Sequence, residues 1–93
     1  MGKFRVKIEK LAESHLKRHF KAGNKSSIKK ITQILDELSE TPFGGVGKPE
    51  ALKHELSGFW SREINSKDRI IYKVQEDIVT VFVISAMGHY SDK

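Results

Sequence analysis

Four side chains in this chain form a set able to break a ribose-linked phosphodiester without a metal: Glu50, Arg69, His89 and Tyr90. A carboxylate can take the 2′-hydroxyl proton, an imidazole can protonate the departing 5′-oxygen, and a guanidinium can hold the charged phosphorane between them. Tyr90, next to His89, offers a ring on which a base can stack. These residues are far apart in sequence, so a fold has to bring them together. Each also has a plainer reading, as a solvated residue of a strand or of a chain end.

Other chemistry-bearing groups carry less. His15 and His19 are four apart on a helical segment, a spacing that can place two imidazoles on one metal. No third ligand accompanies them, and Lys17, Arg18 and Lys21 surround them, so a solvated basic face is expected. Gly44 to Glu50, GGVGKPE, has the look of a phosphate loop but lacks the preceding strand, the Lys-Ser/Thr pair and the following helix. It reads instead as a turn that sets Lys48 and Glu50 at a sheet edge. His54 alternates with Leu52 and Leu56 and is expected to be a structural histidine in a strand.

The elements that must position these groups follow from hydrophobic period. Phe4, Val6 and Ile8 alternate, predicting a first strand. Leu11, Ala12, Leu16 and Phe20 approach helical spacing, and Gly23 is a natural stop. Ile28, Ile31, Leu35 and Leu38 form a second helical stripe, with Asn24 or Ser26 as its cap and Pro42 beyond its end. After the glycine-rich break the period becomes two. Strands are expected around Leu52–Leu56, Phe59–Ile64 and Ile70–Val74, and at the apolar run Ile78–Ser85, which fits a central strand. The expected fold class is α+β: one domain over residues 1–93, with an N-terminal strand and a helical hairpin on a mostly antiparallel sheet of four to five strands. Trp60, Arg62 and Ile64 share one face. Arg69 and Lys73 share the side of their strand away from the helices, a basic platform for an anion.

At 93 residues the chain has material for one modest core. It has no cysteine, which excludes disulfides and thiolate metal sites and fits a cytoplasmic location. No apolar stretch approaches a membrane span, and no signal-peptide core follows Met1. A net charge of +5 suits a polyanionic or acidic partner, or simply keeps the protein soluble.

The run from Gly47 to Val74, GKPEALKHELSGFWSREINSKDRIIYKV, resembles the signature of the YoeB/Txe group of bacterial toxins within the RelE/ParE superfamily. Thr41-Pro42-Phe43 before it and His89-Tyr90 after it agree; the first half matches only in its helical-hairpin pattern. The resemblance implies a RelE-like fold and the toxin of a type II toxin–antitoxin pair. It implies an mRNA endoribonuclease that acts in the A site of the 70S ribosome during translation, without metal or other cofactor. The products would be a 2′,3′-cyclic phosphate, or its 3′-phosphate, and a 5′-hydroxyl. By the same resemblance the base matches Glu50, the transition-state arginine Arg69, the acid His89 and the terminal aromatic Tyr90. Lys53 is a basic neighbour that could take the proton in place of Glu50. Lys48, Lys53, Arg62, Lys73 and Tyr90 are the expected substrate-binding residues.

Three positions depart from the group's pattern: Glu63 and Asp68 stand where basic residues or histidine are usual, and so does Met87. Each removes positive charge near a polyanion site, and Ser91-Asp92-Lys93 extends the chain past the usual terminal tyrosine. Two other readings therefore stand beside the nuclease: a ParE-like poison of DNA gyrase, and a weakened toxin fold that acts mainly in antitoxin binding and promoter repression. The expected partners are an acidic antitoxin of YefM/Phd type, the ribosome and mRNA, operator DNA only through the antitoxin, and a second copy in a homodimer. No membrane is expected among them.

Overall fold

The computed structural model describes residues 3–88. Strand β1 (Arg5–Ile8) leads into helices α1 (Lys10–Ala22) and α2 (Lys25–Leu38), and the remaining strands are β2 (Glu50–Ala51), β3 (Phe59–Glu63), β4 (Arg69–Gln75) and β5 (Thr80–Ser85). They form one sheet in the order β1-β5-β4-β3-β2, parallel between β1 and β5 and antiparallel elsewhere. This is the expected helical hairpin on a mostly antiparallel sheet.

The hairpin is set by two adjacent residues. Gly23, in the left-handed region at φ 76°, ends α1 by donating its N–H to the His19 carbonyl. Asn24 then caps α2, its side-chain oxygen accepting the Ser27 N–H at 3.0 Å. With so short a connection the helices must run antiparallel. Their buried faces are Ala12, Leu16 and His19 on α1, and Ser27, Ile31, Ile34 and Leu38 on α2. Both stripes are rotated from the expected ones: Leu11 and Phe20 are exposed, and Ile28 and Leu35 are only half-buried. Polar residues take part of each buried face, because their hydrogen bonds are satisfied there. Ser27, for example, accepts from the Asn65 amide at 2.8 Å.

The helices cover one face of the sheet. Their apolar residues pack with Ile64, Ile70, Tyr72, Val81, Val83 and Ala86, with Val6, Trp60 and Val74 at the margin. Ile71 pairs with Ser85 while Tyr72 pairs with Val83, so Ile84 is an extra residue, a β-bulge in β5. The bulge changes the phase of the strand. Val83 and Ala86, three residues apart, both point into the core as a result, where a regular strand would send them to opposite faces.

Two expected strands differ from the prediction. The Leu52–Leu56 segment is not a strand: β2 is the two residues Glu50–Ala51 just before it, and His54–Leu56 is a 3₁₀ turn with His54 at φ 59°. His54 is exposed, not a structural histidine within a strand. β5 begins at Thr80 because Ile78 and Val79 lie in an exposed turn, Val79 at φ 49°.

The loop between α2 and β2 is organised by Arg62, which is 0% exposed on the core side of β3. Its Nε donates to the Tyr72 hydroxyl at 3.1 Å and its Nη1 to Glu37 Oε1 at 2.8 Å. Nη2 donates to the carbonyls of Thr41 and Gly44, both at 2.6 Å. Glu37 also accepts the Val46 N–H at 3.0 Å, and Tyr72 donates to the Pro42 carbonyl at 2.7 Å. Burial pushes the Tyr72 hydroxyl pKa up, opposed by the adjacent guanidinium, so Tyr72 stays a donor. Gly45 completes the loop at φ 126°: a Cβ there would run into the Glu37 carboxylate. Arg62 was expected to touch substrate; it faces away from solvent and is spent on this loop.

Removing the guanidinium leaves the Glu37 carboxylate and several loop carbonyls without their donor. Arg62→Met is therefore expected to lower the free energy of unfolding by about 3–5 kcal/mol, the usual cost of breaking one side of a buried ion pair. Arg62→Lys should recover little of it, since one ammonium cannot reproduce the planar fork. Urea unfolding of the three proteins checks both.

Candidate active site on the open sheet face

The face of the sheet turned away from the helices carries the residues whose parity opposes the core. On β3 these are Phe59, Ser61 and Glu63, and on β4 they are Arg69, Ile71 and Lys73. Cross-strand register arranges them in rows. Glu50 on the edge strand β2 lies opposite Ser61, Ser61 opposite Ile71, and Ile71 opposite Ser85. On one side of this row Arg69 lies opposite Glu63. On the other, Lys73 lies between Phe59 and Phe82, and Lys7 extends the row onto β1. The Lys73 ammonium sits 5.7 Å from the Phe59 ring centroid, a cation–π contact that steadies it on the face.

Glu50 and Arg69 are two strand spacings and one same-face step apart, which puts their Cα atoms about 12 Å from each other. Two long side chains pointing across that gap can meet on one phosphodiester. Glu50 is exposed, and Arg69 and Lys73 are half-buried. Lys48 precedes Glu50 in the exposed loop at φ 53°, and Lys53 is exposed just beyond β2. The loop held by Arg62 ends at Gly47, whose carbonyl accepts the Glu63 N–H at 2.7 Å, so the approach to Glu50 is fixed to β3 itself. His89 and Tyr90 lie outside the described residues, which end at Gly88.

Glu63 is the departure with the most direct electrostatic consequence, since it lies beside Arg69 on the same face. Asp68 behaves differently. Its carboxylate accepts the Gly88 N–H at 2.8 Å and so has a backbone partner of its own. The two α1 histidines also depart from expectation. His15 Nδ1 accepts the Ala86 N–H at 3.0 Å, and His19 Nε2 bonds the Ala86 carbonyl at 2.8 Å. A carbonyl only accepts, so His19 carries its proton on Nε2. They clamp backbone instead of forming a solvated basic face, because α1 crosses the end of β5. Nothing in the spacing of two histidines could have revealed that. Among the described residues there is no group of three or more His, Asp or Glu side chains that could hold a metal ion.

Comparison with known proteins places the chain as a whole. A family model for the YoeB-like toxin of bacterial type II toxin-antitoxin system matches residues 9–90. The toxin YoeB of Escherichia coli O6:H1 is 42% identical over 72 residues, covering 77% of this chain and 83% of that protein. Among solved structures, the YoeB dimer from Staphylococcus aureus superposes with a TM-score of 0.78 at 30% identity, covering 95% of this chain and 99% of that one. The toxin chain of the heterotetrameric YoeB-YefM complex from Staphylococcus aureus gives 0.75 at 31% identity, covering 94% and 98%.

The histidine clamp has a pH signature. Burial, then the charges of Arg18 and His19, hold the His15 pKa below its ordinary 6.5, with Asp68 opposing. Neutral His15 can accept the Ala86 N–H; the imidazolium cannot. A depressed histidine contributes stability that is present above the unfolded value and is lost as pH falls through the folded one. The protein should therefore lose stability as pH falls below about 6.5, and its advantage over a His15→Leu variant should narrow over the same range. Denaturant unfolding at a series of pH values measures this.

Proposed function

The chain belongs to the YoeB-like toxins of bacterial type II toxin–antitoxin systems, and from that membership we propose that it is an endoribonuclease cleaving translated mRNA in the ribosomal A site. The observation that carries the reading is that Glu50, Arg69 and Lys73 share the open face of one rigid sheet. Glu50 takes the 2′-hydroxyl proton, with Lys53 the alternative base. The 2′-oxygen attacks phosphorus while the bond to the 5′-oxygen breaks. His89 delivers a proton to that oxygen, and the products are a 2′,3′-cyclic phosphate and a 5′-hydroxyl. Arg69 offsets the charge that develops on the phosphorane, where a preorganised donor acts most strongly. Lys48, Lys53 and Lys73 hold flanking phosphates, and Tyr90 stacks on a base. No step requires a metal.

The remaining partners follow from the relatives. A YefM-type antitoxin and a toxin homodimer are proposed because the Staphylococcus aureus proteins of similar fold form such a complex and such a dimer. Operator DNA is contacted through the antitoxin. The site of action is the cytoplasm, where translation takes place; among the described residues no helix is long and apolar enough to cross a membrane.

One observation favours a second reading. Glu63 beside Arg69 opposes phosphate binding on the same face, as a toxin fold kept mainly for antitoxin binding would tolerate. Primer extension on a defined mRNA in a purified translation system decides between them. New 3′ ends at the A-site codon are expected only with 70S ribosomes. Glu50→Gln and His89→Ala should abolish them, and Arg69→Ala should reduce the rate about 10²–10³-fold. Glu63→Gln should raise the rate. Absence of cleavage by the parent together with cleavage by Glu63→Gln would establish the weakened reading, and absence in both would remove the nuclease.

A further inference from the structure

The inner strand β5 carries a phenylalanine on the side turned away from the helices. Val81 and Val83 are buried in the core, so Phe82 between them faces outward. A strand with one face on a core usually has polar residues on the other, and a large apolar ring there is the exception. Phe82 is half-buried, and its partners in register are both cationic: Lys73 on β4 and Lys7 on β1. The outward row thus runs Phe59, Lys73, Phe82, Lys7 across four strands.

The two rings of this row are not equivalent. Lys73 leans over Phe59, its ammonium 5.7 Å from that ring's centroid. Among the described residues no ring contact and no cation–π contact engages Phe82. Among the same residues neither Lys7 nor Lys73 is in an ion pair, so both keep their charge for a ligand. Arg69 lies one strand away from Phe82 and two same-face steps along, about 14 Å between Cα atoms. A phosphate bound at Arg69 therefore leaves Phe82 to a neighbouring nucleotide of the same strand.

We propose that Phe82, with Lys7 and Lys73, is an RNA subsite that stacks the base of a nucleotide flanking the scissile bond and holds the phosphates beside it. This rests on the nuclease reading and adds to it a contact with the substrate strand. An aromatic face accepts any base, and flanking ammonium groups hold the backbone. The subsite is tolerant of sequence and strongly salt-dependent. An acidic peptide could use the two lysines. The ring between them selects a nucleotide, which brings a π-face and a phosphate in one unit. A purely structural Phe82 would pack against the lysine stems, a role that leucine also fills.

The test titrates a mixed-sequence 2′-O-methyl RNA octamer, which has no 2′-hydroxyl to attack, into the parent, Phe82→Leu, Phe82→Tyr and Lys7→Gln. Thermal unfolding checks that each is folded. An abasic octamer with the same backbone is the control. The parent should bind the base-bearing octamer about tenfold more tightly than the abasic one. Phe82→Leu should abolish that ratio and Phe82→Tyr should keep it. Lys7→Gln should weaken both octamers alike and lower the slope of log Kd against log salt by about 0.7. By NMR the Phe82 ring resonances should move with the base-bearing octamer and stay still with poly-L-glutamate. On programmed ribosomes, Phe82→Leu should raise the protein concentration for half-maximal cleavage about tenfold, and Phe82→Tyr should match the parent. No binding by the parent, equal affinity for the two octamers, or a ratio kept in Phe82→Leu overturns the subsite. Movement of the ring with poly-L-glutamate overturns it in favour of an acidic protein segment. Failure of the parent to cleave mRNA, with the octamer pattern as expected, overturns the nuclease reading and leaves the RNA subsite standing.

Discussion

The buried guanidinium of Arg62 is the contact on which the rest of the architecture depends. The segment between α2 and β2 has few apolar side chains with which to bury itself, and its backbone carbonyls need donors. Arg62 supplies them from the core side of β3, and Glu37 neutralises its charge from α2 while also accepting from Val46. Helix, loop and sheet meet at one ion pair. Phe43 packs against Trp60 at 5.2 Å between ring centroids, closing the loop over the strand. The loop can then leave at Gly47 in fixed register with β3 and place Glu50 on the sheet edge. A residue that never meets solvent thus decides where the exposed carboxylate stands.

Parity along a single strand pair separates structure from chemistry. Arg62 lies opposite Ile70 and faces the helices; Glu63 lies opposite Arg69 and both face outward. Slipping β3 by one residue against the rest of the sheet would turn Arg62 outward and Glu63 into the core. Register therefore decides which charged residue organises the core and which faces outward. The deep packing of Ile70 and Tyr72 is what prevents the slip.

Much of this was legible in sequence. Gly23 and Asn24 announced the helical hairpin, and period-two alternation located β3 and β4. The alternation even placed Arg62 with Trp60 and Ile64, a grouping that already pointed it inward. The long motif suggested a substrate role for it, and the physical pattern was the better guide. What could not be read was anything that depends on non-local backbone partners. His15 and His19 sit among lysines and arginines in sequence, yet in space they meet the two polar groups of Ala86. No local pattern announces a bulge at Ile84, so the phase that brings Ala86 to them was equally hidden. The brevity of β2 has a similar cause. The Leu52, His54, Leu56 alternation is real, but His54 at φ 59° leaves the extended region and the chain turns.

Ser61 and Ile71, at the middle of the outward face, are buried, so the charged groups of that face stand around a covered centre. Their geometry comes from the sheet beneath and from its ends. From below, the helix-facing core fixes β3 and β4. From one end, the Arg62 loop fixes the arrival of Glu50; from the other, the Asn65–Asp68 turn and the α1 histidines fix the backbone of Ala86 and Gly88. The acidic departures then acquire different meanings. Asp68 keeps its charge, but one of its oxygens is engaged by the Gly88 N–H and it lies within electrostatic reach of His15 on α1. Glu63 lies opposite Arg69 on the outward side of the strand pair and lowers the potential there. Counting charges near the site would treat the two alike, and hydrogen-bond geometry does not.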